Sequence, residues 1–159
     1  MALLTADMLE LLDMGVAHQI GGCTRAGRPV LCRGLAAALE ADGRLAIILS
    51  GESGFEVLDA VRETAWVAVN FTLPANFRSL SLKGRDARVG PDGSRFRDTL
   101  RERHRAFREQ LVPFGFPAAY TNAWYDVPDD DLHVIRFTPI GAWNQTPGPG
   151  AGNAVEFAV

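Results

Sequence analysis

Between Pro74 and Val89 the chain reads PANFRSLSLKGRDARV, a stretch in which hydroxyls and cations recur at a spacing that lets them act together. Strand alternation places Ser79, Ser81 and Lys83 on one face and Arg78, Leu80 and Leu82 on the other. Two hydroxyls and an ammonium along one side of a strand can serve an anionic ligand, because each brings a donor and Lys83 brings charge. The same row also fits the wet side of an antiparallel strand whose other side packs on a core. Context has to choose between the two.

Other chemistry-bearing residues form no recognised constellation. G-x-S-x-G, a Walker loop, G-x-G-x-x-G and H-E-x-x-H are all missing from the sequence. His18, His104 and His133 are dispersed and have no diagnostic partners, so packing or surface roles are expected for them. Cys23 and Cys32 have neither CxxC spacing nor a His/Cys cluster beside them, which argues against zinc and redox motifs. With Arg25 to Arg28 as a hairpin turn, Cys23 faces Val30. It then meets Cys32 only diagonally, at about 7–8 Å between backbones, so reduced thiols are expected. Asp129-Asp130-Asp131 has no second carboxylate set with ligand spacing and reads as an exposed loop.

The elements that would position the polar strand can be read on either side of it. Thr5 is the expected N-cap of a helix over Ala6 to Met14, ended by Gly15. Val16 to Thr24 and Pro29 to Leu39 read as strands joined at Ala26-Gly27, and Arg44 to Ser50 follows the turn Asp42-Gly43. Ser53 and Glu56 have the spacing of a capping box for a helix ending near Thr64. Ala65 to Phe71 and Phe77 to Val89 are the next strands. A helix from Ser94 to about Leu111 carries Phe96, Leu100, Phe107 and Leu111 in register, with His104 on the same stripe. Its arginines alternate with Asp98, Glu102 and Glu109, and Arg105 can pair with Glu109, so a solvated or dimer-facing helix is expected and not a nucleic-acid surface. A short aromatic helix with Tyr120 and Trp124 precedes a last strand, Leu132 to Phe137.

A length of 159 residues fits one domain spanning 1–159, with residues 145–159 as a Gly/Pro-rich tail over the surface or toward a partner. The net charge of −3 argues against a general nucleic-acid binder. No apolar run reaches the roughly 18 residues that span a bilayer. The N-terminus lacks a basic n-region and carries Asp7, Glu10 and Asp13, so a cytoplasmic protein is expected. Six strands in mostly antiparallel order close most economically into a small barrel, which removes exposed edges. Such a barrel, with a polar strand face and small residues for close approach, suits a cofactor that brings its own chemistry.

The run NFRSLSLKGRDARV at Asn76 to Val89 is preceded by AWVAVNFTLP and followed by FTPIGAWNQTPGPGAG at Phe137 to Gly152. In that order, with GRPVLCRGLAAALEADGRLAIILS at Gly27 to Ser50, it resembles the pyridoxamine 5'-phosphate oxidase-like family of split β-barrels. The resemblance covers nearly the whole chain. It implies a mainly β fold, a six-stranded antiparallel split barrel with short flanking helices, forming a homodimer with FMN in two equivalent interface clefts. A flavin-dependent oxidoreductase acting with a small-molecule substrate or electron donor follows from it.

On this sequence the family's phosphate-holding positions match Arg33 on the second strand, Ser50, Gly51, Glu52 and Ser53 after the third, and Arg78, Ser79, Ser81 and Lys83. Trp143, Gln145 and Thr146 match the ring end. One departure stands out: flavin-binding members often carry adjacent basic residues where this chain has Gly54-Phe55. Arg33, Arg78 or Lys83 must then replace that pair at a dianionic phosphate. The full basic set for a pyridoxamine phosphate substrate is also lacking, so that specific activity is not assigned. Two rivals stay open: a barrel holding haem, with His18, His104 or His133 as ligand, or the deazaflavin F420, and a dimeric barrel without cofactor.

Overall fold

The computed structural model of the chain describes residues 4–156. Helix α1 covers Ala6–Asp13, and the Thr5 hydroxyl accepts the Met8 N–H at 3.3 Å. Its buried residues Met8, Leu11 and Leu12 lie one helical turn apart and seat it on the core. Strands β1 (Ala17–Cys23) and β2 (Pro29–Gly34) form a hairpin in which Cys23 stands opposite Pro29 and Ile20 opposite Cys32. That register is one residue from the expected pairing of Cys23 with Val30. Because each residue shares a face with its direct partner, Cys23 and Cys32 point to opposite sides of the sheet, and both are free thiols.

The expected single strand from Pro29 to Leu39 is two. After Gly34 the chain leaves one sheet for another, and β3 (Ala36–Leu39) pairs with β4 (Leu45–Ser50). Gly34 permits the crossing: a Cβ there would lie 2.9 Å from His18 Cβ. The stretch from Phe77 to Val89 divides for a similar reason. Strand β6 (Ser79–Gly84) stays beside β5 (Val67–Thr72), whereas β7 (Arg88–Gly90) joins β8 (Leu132–Phe137) in the other sheet.

Between β4 and β5 runs helix α2 (Gly51–Thr64), closed by Ala65 in the left-handed region at φ 58°. Its N-cap is Ser50, whose hydroxyl accepts the Ser53 N–H at 3.1 Å, and not Ser53 as the S-x-x-E spacing suggests. Helices α3 (Arg97–Leu111) and α4 (Ala118–Tyr125) follow β7. The ion pairs of α3 are Arg101 with Asp98, Arg103 with Asp13 and Arg97 with Asp129. Two further strands were not expected: β9 (Gly141–Asn144) lies just before the tail, and β10 (Ala154–Val155) lies within residues 145–159, where the sequence suggested only a loose segment. The last three residues of the expected 145–159 tail lie outside the described residues.

The ten strands among the described residues make a six-stranded antiparallel sheet, ordered β10-β9-β6-β5-β1-β2, and a four-stranded sheet, β3-β4-β8-β7. Ile20, Val69, Phe71 and Leu82 from the larger sheet meet Leu45, Ile47, Ile135 and Phe137 from the smaller in one core. On the other side of the smaller sheet, Ile48 and Leu132 pack against Leu100, Phe107 and Leu111 of α3. With both its faces covered, β4 is buried at every residue, which accounts for its continuous apolar run LAIILS. Arg136 ties the smaller sheet to its loops: Nε bonds Glu40 at 2.8 Å, and Nη1 and Nη2 bond Asp92 at 2.9 and 2.7 Å. No helix among the described residues is long and apolar enough to cross a membrane.

Candidate functional site

The inner face of the six-stranded sheet is spent on the core, so the chemistry falls to its outer face. Register aligns Arg33 of β2, Gln19 of β1, Asn70 of β5, Ser81 of β6 and Trp143 of β9 in one row across five strands. Side-chain bonds confirm the shared face. Asn70 Nδ2 donates to Gln19 Oε1 at 3.2 Å and to Thr72 Oγ1 at 2.9 Å, and Ser79 Oγ donates to Thr72 Oγ1 at 3.0 Å. Leu80 and Leu82 are buried on the opposite side, as the alternation of β6 requires.

One step along the strands from this row lies a groove of about 750 Å³. Gly21 and Ala68 form its floor, and neither brings a side chain large enough to fill it. A Cβ on Gly21 would find no atom closer than 3.8 Å. Leu31, Trp66, Ile140 and Trp143 form the walls. Lys83 Nζ stands 4.2 Å from the Trp143 ring centroid, and Arg85 Cζ stands 4.7 Å from that of Trp66. Each cation is thus held over an aromatic face at the groove. Leu31, Trp66 and Ile140 are 71, 52 and 54% exposed, so the groove is an apolar surface in a single chain.

The twelve residues singled out from the sequence do not converge on one point. Lys83 and Trp143 line the groove, and Ser81 stands beside Trp143 in register. Arg78 lies before β6, donates to the Asp7 carbonyl at 3.3 Å, and lines a different cleft by α1. Ser79 and Thr146 are joined there, the Ser79 N–H donating to Thr146 Oγ1 at 2.9 Å, and the Gln145 N–H donates to the Ser79 carbonyl at 2.9 Å. Arg33 is turned toward α3 and α4, its guanidinium 3.7 Å from the Trp124 ring centroid.

Ser50, Gly51, Glu52 and Ser53 form the first turn of α2, and an internal anion already occupies it. Asp131 accepts from Ser50 Oγ at 2.5 Å and from the Glu52 N–H at 2.8 Å. A carboxylate at a helix N-terminus satisfies orphan donors and the dipole together, so Asp131 is a capping residue and not part of an idle acidic loop. Where a basic pair was missing, Gly54 is buried so closely that a Cβ there would meet Leu49 Cδ1 at 2.7 Å, whereas Phe55 is exposed.

The histidines are differently engaged. His18 is 1% exposed, edge-on to Phe71, with both ring nitrogens lacking a hydrogen-bond partner. Burial, with the positive charges of Arg33 and Arg103, lowers its pKa to about 3. His104 stacks on Tyr125 at 4.3 Å, and burial lowers its pKa too. His133 Nδ1 lies 3.2 Å from the Asp131 carbonyl. No group of three or more His, Cys, Asp and Glu side chains among the described residues is arranged to hold a metal.

Sequence reasoning missed Leu31, Trp66, Arg85, Gln19 and Asn70. Alternation within RPVLCRG does place Leu31 on the face of Arg33, and an exposed leucine there was a usable signal. Arg85 lies beyond the strand, and only the fold brings it to Trp66.

The groove's chemistry suits a planar, largely apolar ring with an anionic tail. Its small floor accepts a ring, its tryptophans and Leu31 pack beside one, and Lys83 with Arg85 offers two cations to a dianion. FMN has that composition, and the residues present fit it.

No family model and no curated protein matches the sequence. Solved structures do share its fold. Group A Streptococcus HupZ superposes with a TM-score of 0.57 at 11% identity, over 94% of this chain and 99% of that one. A pyridoxamine 5'-phosphate oxidase-related, FMN binding protein from Nostoc punctiforme gives 0.54 at 14% identity, over 98% of each chain. A NimC/NimA family protein from Clostridium acetobutylicum gives 0.53 at 14% identity, over 95% and 89%. The chain therefore has the split-barrel fold of pyridoxamine 5'-phosphate oxidase-like proteins, closed by a six-stranded antiparallel sheet.

Proposed function

We propose that the protein binds FMN in the outer groove of its six-stranded sheet, as a homodimer in which a second copy covers the groove, and acts as a flavin-dependent oxidoreductase on a small molecule. The observation that carries this reading is the groove itself: a Gly21 and Ala68 floor, with Lys83 on Trp143 and Arg85 on Trp66 in its lining. A structural neighbour of nearly the same extent is described as FMN binding, which agrees with that chemistry.

When bound, FMN supplies the hydride or electron transfer. The chain's own residues bind and orient. At the flavin phosphate, Lys83 and Arg85 would take the place of the missing basic pair, the first as the sequence suggested and the second instead of Arg33 and Arg78. Trp143 and Trp66 keep those two side chains from collapsing into solvent, and Ser81 offers a hydroxyl beside the ring wall. The apolar rim of Leu31, Trp66 and Ile140 excludes water once a second copy lies over it.

Haem is less well served. An iron ligand needs an imidazole nitrogen that a porphyrin can reach, and His18 is sealed in the core, His104 is stacked on Tyr125, and His133 sits by the Asp131 carbonyl away from the groove lining. The test is the visible spectrum of the purified protein, with mass spectrometry of whatever denaturation releases and light scattering for the dimer. Flavin absorbance with released FMN is expected. A Soret band or released F420 overturns the flavin assignment. Colourless protein that leaves flavin fluorescence unchanged on titration with FMN at micromolar concentration overturns cofactor binding altogether.

A further inference from the structure

At the β2 edge of the same outer face, a second pocket of about 280 Å³ opens beneath α3 and α4. Its walls are aromatic: Phe107 from α3, Trp124 and Tyr120 from α4, and Phe77 from the turn before β6. Its one cation is Arg33. The guanidinium lies over the Trp124 ring at 3.7 Å, with Phe107 and Tyr125 at 5.1 and 5.8 Å. Arg33 Nε and Nη2 are shielded from solvent and make no hydrogen bond of good geometry among the described residues; the nearby Tyr125 hydroxyl, whose pKa burial raises, gives the guanidinium no counter-charge. No ion pair there includes it either. Arg33 and Arg103 both act on His18, but Arg103 is paired with Asp13, which leaves Arg33 as the cation at this pocket without a counter-charge among the described residues.

A shielded guanidinium with unmade hydrogen bonds is costly unless an anion joins it. Phe77 adds a second signal. It holds φ 59°, a conformation a bulky side chain rarely adopts, and in doing so places its ring at the pocket wall. Gln19 and Thr72 add neutral polar groups to the lining.

We propose that this pocket binds a small monocarboxylate with a planar, apolar body, its carboxylate on Arg33 and its body between Trp124, Tyr120 and Phe77. A lone arginine fork matches the geometry and single charge of a carboxylate. A phosphate dianion calls for a second cation, which the pocket lacks. The volume lies at the small end of ligand pockets, below the usual range of about 300–1,000 Å³. Arg33 and Gln19 are two residues along their strands from Leu31 and Gly21, about 7 Å, so the occupant borders the groove without sharing its cations. The site stands whether or not the groove holds a flavin.

Ligand-observed NMR on the protein as purified tests this with benzoate as probe, against benzyl alcohol and inorganic phosphate. Benzoate is expected to bind at least ten-fold more tightly than benzyl alcohol and to be unaffected by phosphate. Arg33→Met should reduce benzoate to the level of the alcohol, and Arg33→Lys should fall between. Equal affinities for benzoate and benzyl alcohol in the unaltered protein overturn the proposal without recourse to any variant. Displacement of benzoate by phosphate also overturns it and makes Arg33 a phosphate anchor. A folded Arg33→Met protein that retains full benzoate affinity does so as well.

Discussion

His18 should make the protein sensitive to mild acid, and replacing it with leucine should remove much of that sensitivity. Its imidazole is buried, unpartnered and beside two arginines, and its pKa falls from 6.5 to about 3. The unfolded chain takes up the proton near pH 6.5, and the folded chain takes it up only near 3. Stability is therefore whole above pH 6.5 and falls with pH until the folded group titrates. Each pH unit in that window costs about 1.4 kcal/mol, so the full loss is about 5 kcal/mol, comparable with the entire stability of many domains.

Carboxylates complicate the window below about pH 4.5. Between pH 6.5 and 4.5 the His18 contribution alone should amount to about 3 kcal/mol. Urea unfolding followed by circular dichroism at pH 7.5, 6.5, 5.5 and 4.5 measures it in the two proteins. His18→Leu should match or exceed the unaltered protein at pH 7.5, because leucine leaves no orphaned nitrogen. It should gain on it by about 3 kcal/mol by pH 4.5. Parallel stability profiles for the two proteins would refute the reasoning. The visible spectrum should be unchanged by the substitution, since the ring reaches no ligand site.

Lys83→Ala should weaken FMN binding about 10- to 100-fold by flavin fluorescence titration, the range for losing a hydrogen bond to a charged group. Arg78→Ala should leave that affinity unaltered, because Arg78 faces the cleft by α1, and an equal loss in both variants would contradict the separation of the two sites. Gly84→Ala should destabilise by about 1–3 kcal/mol in chemical denaturation, since its Cβ would lie 3.0 Å from Phe137 Cβ in a filled core. Cys32, whose pKa burial raises to about 12, should resist an aromatic disulfide reagent in the native state and react on unfolding. Asp92 is held at a pKa of about 2, first by its hydrogen bonds from Arg136. It favours the fold above about pH 4 and ceases to do so as pH falls toward 2, so Asp92→Asn should flatten that limb of the acid profile. Because Asp92 is 39% exposed, the difference should be about 1 kcal/mol.

Local patterns carried most of the secondary structure. The Thr5 cap, the alternation of β6 and the stripe of α3 are short-range facts, set by backbone geometry and by which side chains can face a core. The order of those elements made a small barrel legible, and the resemblance carried by Asn76 to Val89 and its flanking runs made it a split barrel. The strand breaks fall at Gly34 and at Gly84-Arg85-Asp86, residues poor in β propensity, but no local signal says that the chain resumes in the other sheet. Sheet closure alone decides where the chain must cross.

The same division runs through the site. Lys83 and Ser81 could be placed on one face from sequence, because period-two alternation depends only on neighbours. That Asp131 fills the α2 N-terminus, that Arg85 joins Lys83 at one groove, and that Arg33 sits under Trp124 are contacts between residues 79, 2 and 91 positions apart. The Arg85 case shows how little separation matters once a strand ends. Charge and hydrogen-bonding capacity belong to the residue and were visible in the chain; which partner uses them is settled by tertiary packing, which brings distant groups within reach and shields them from water.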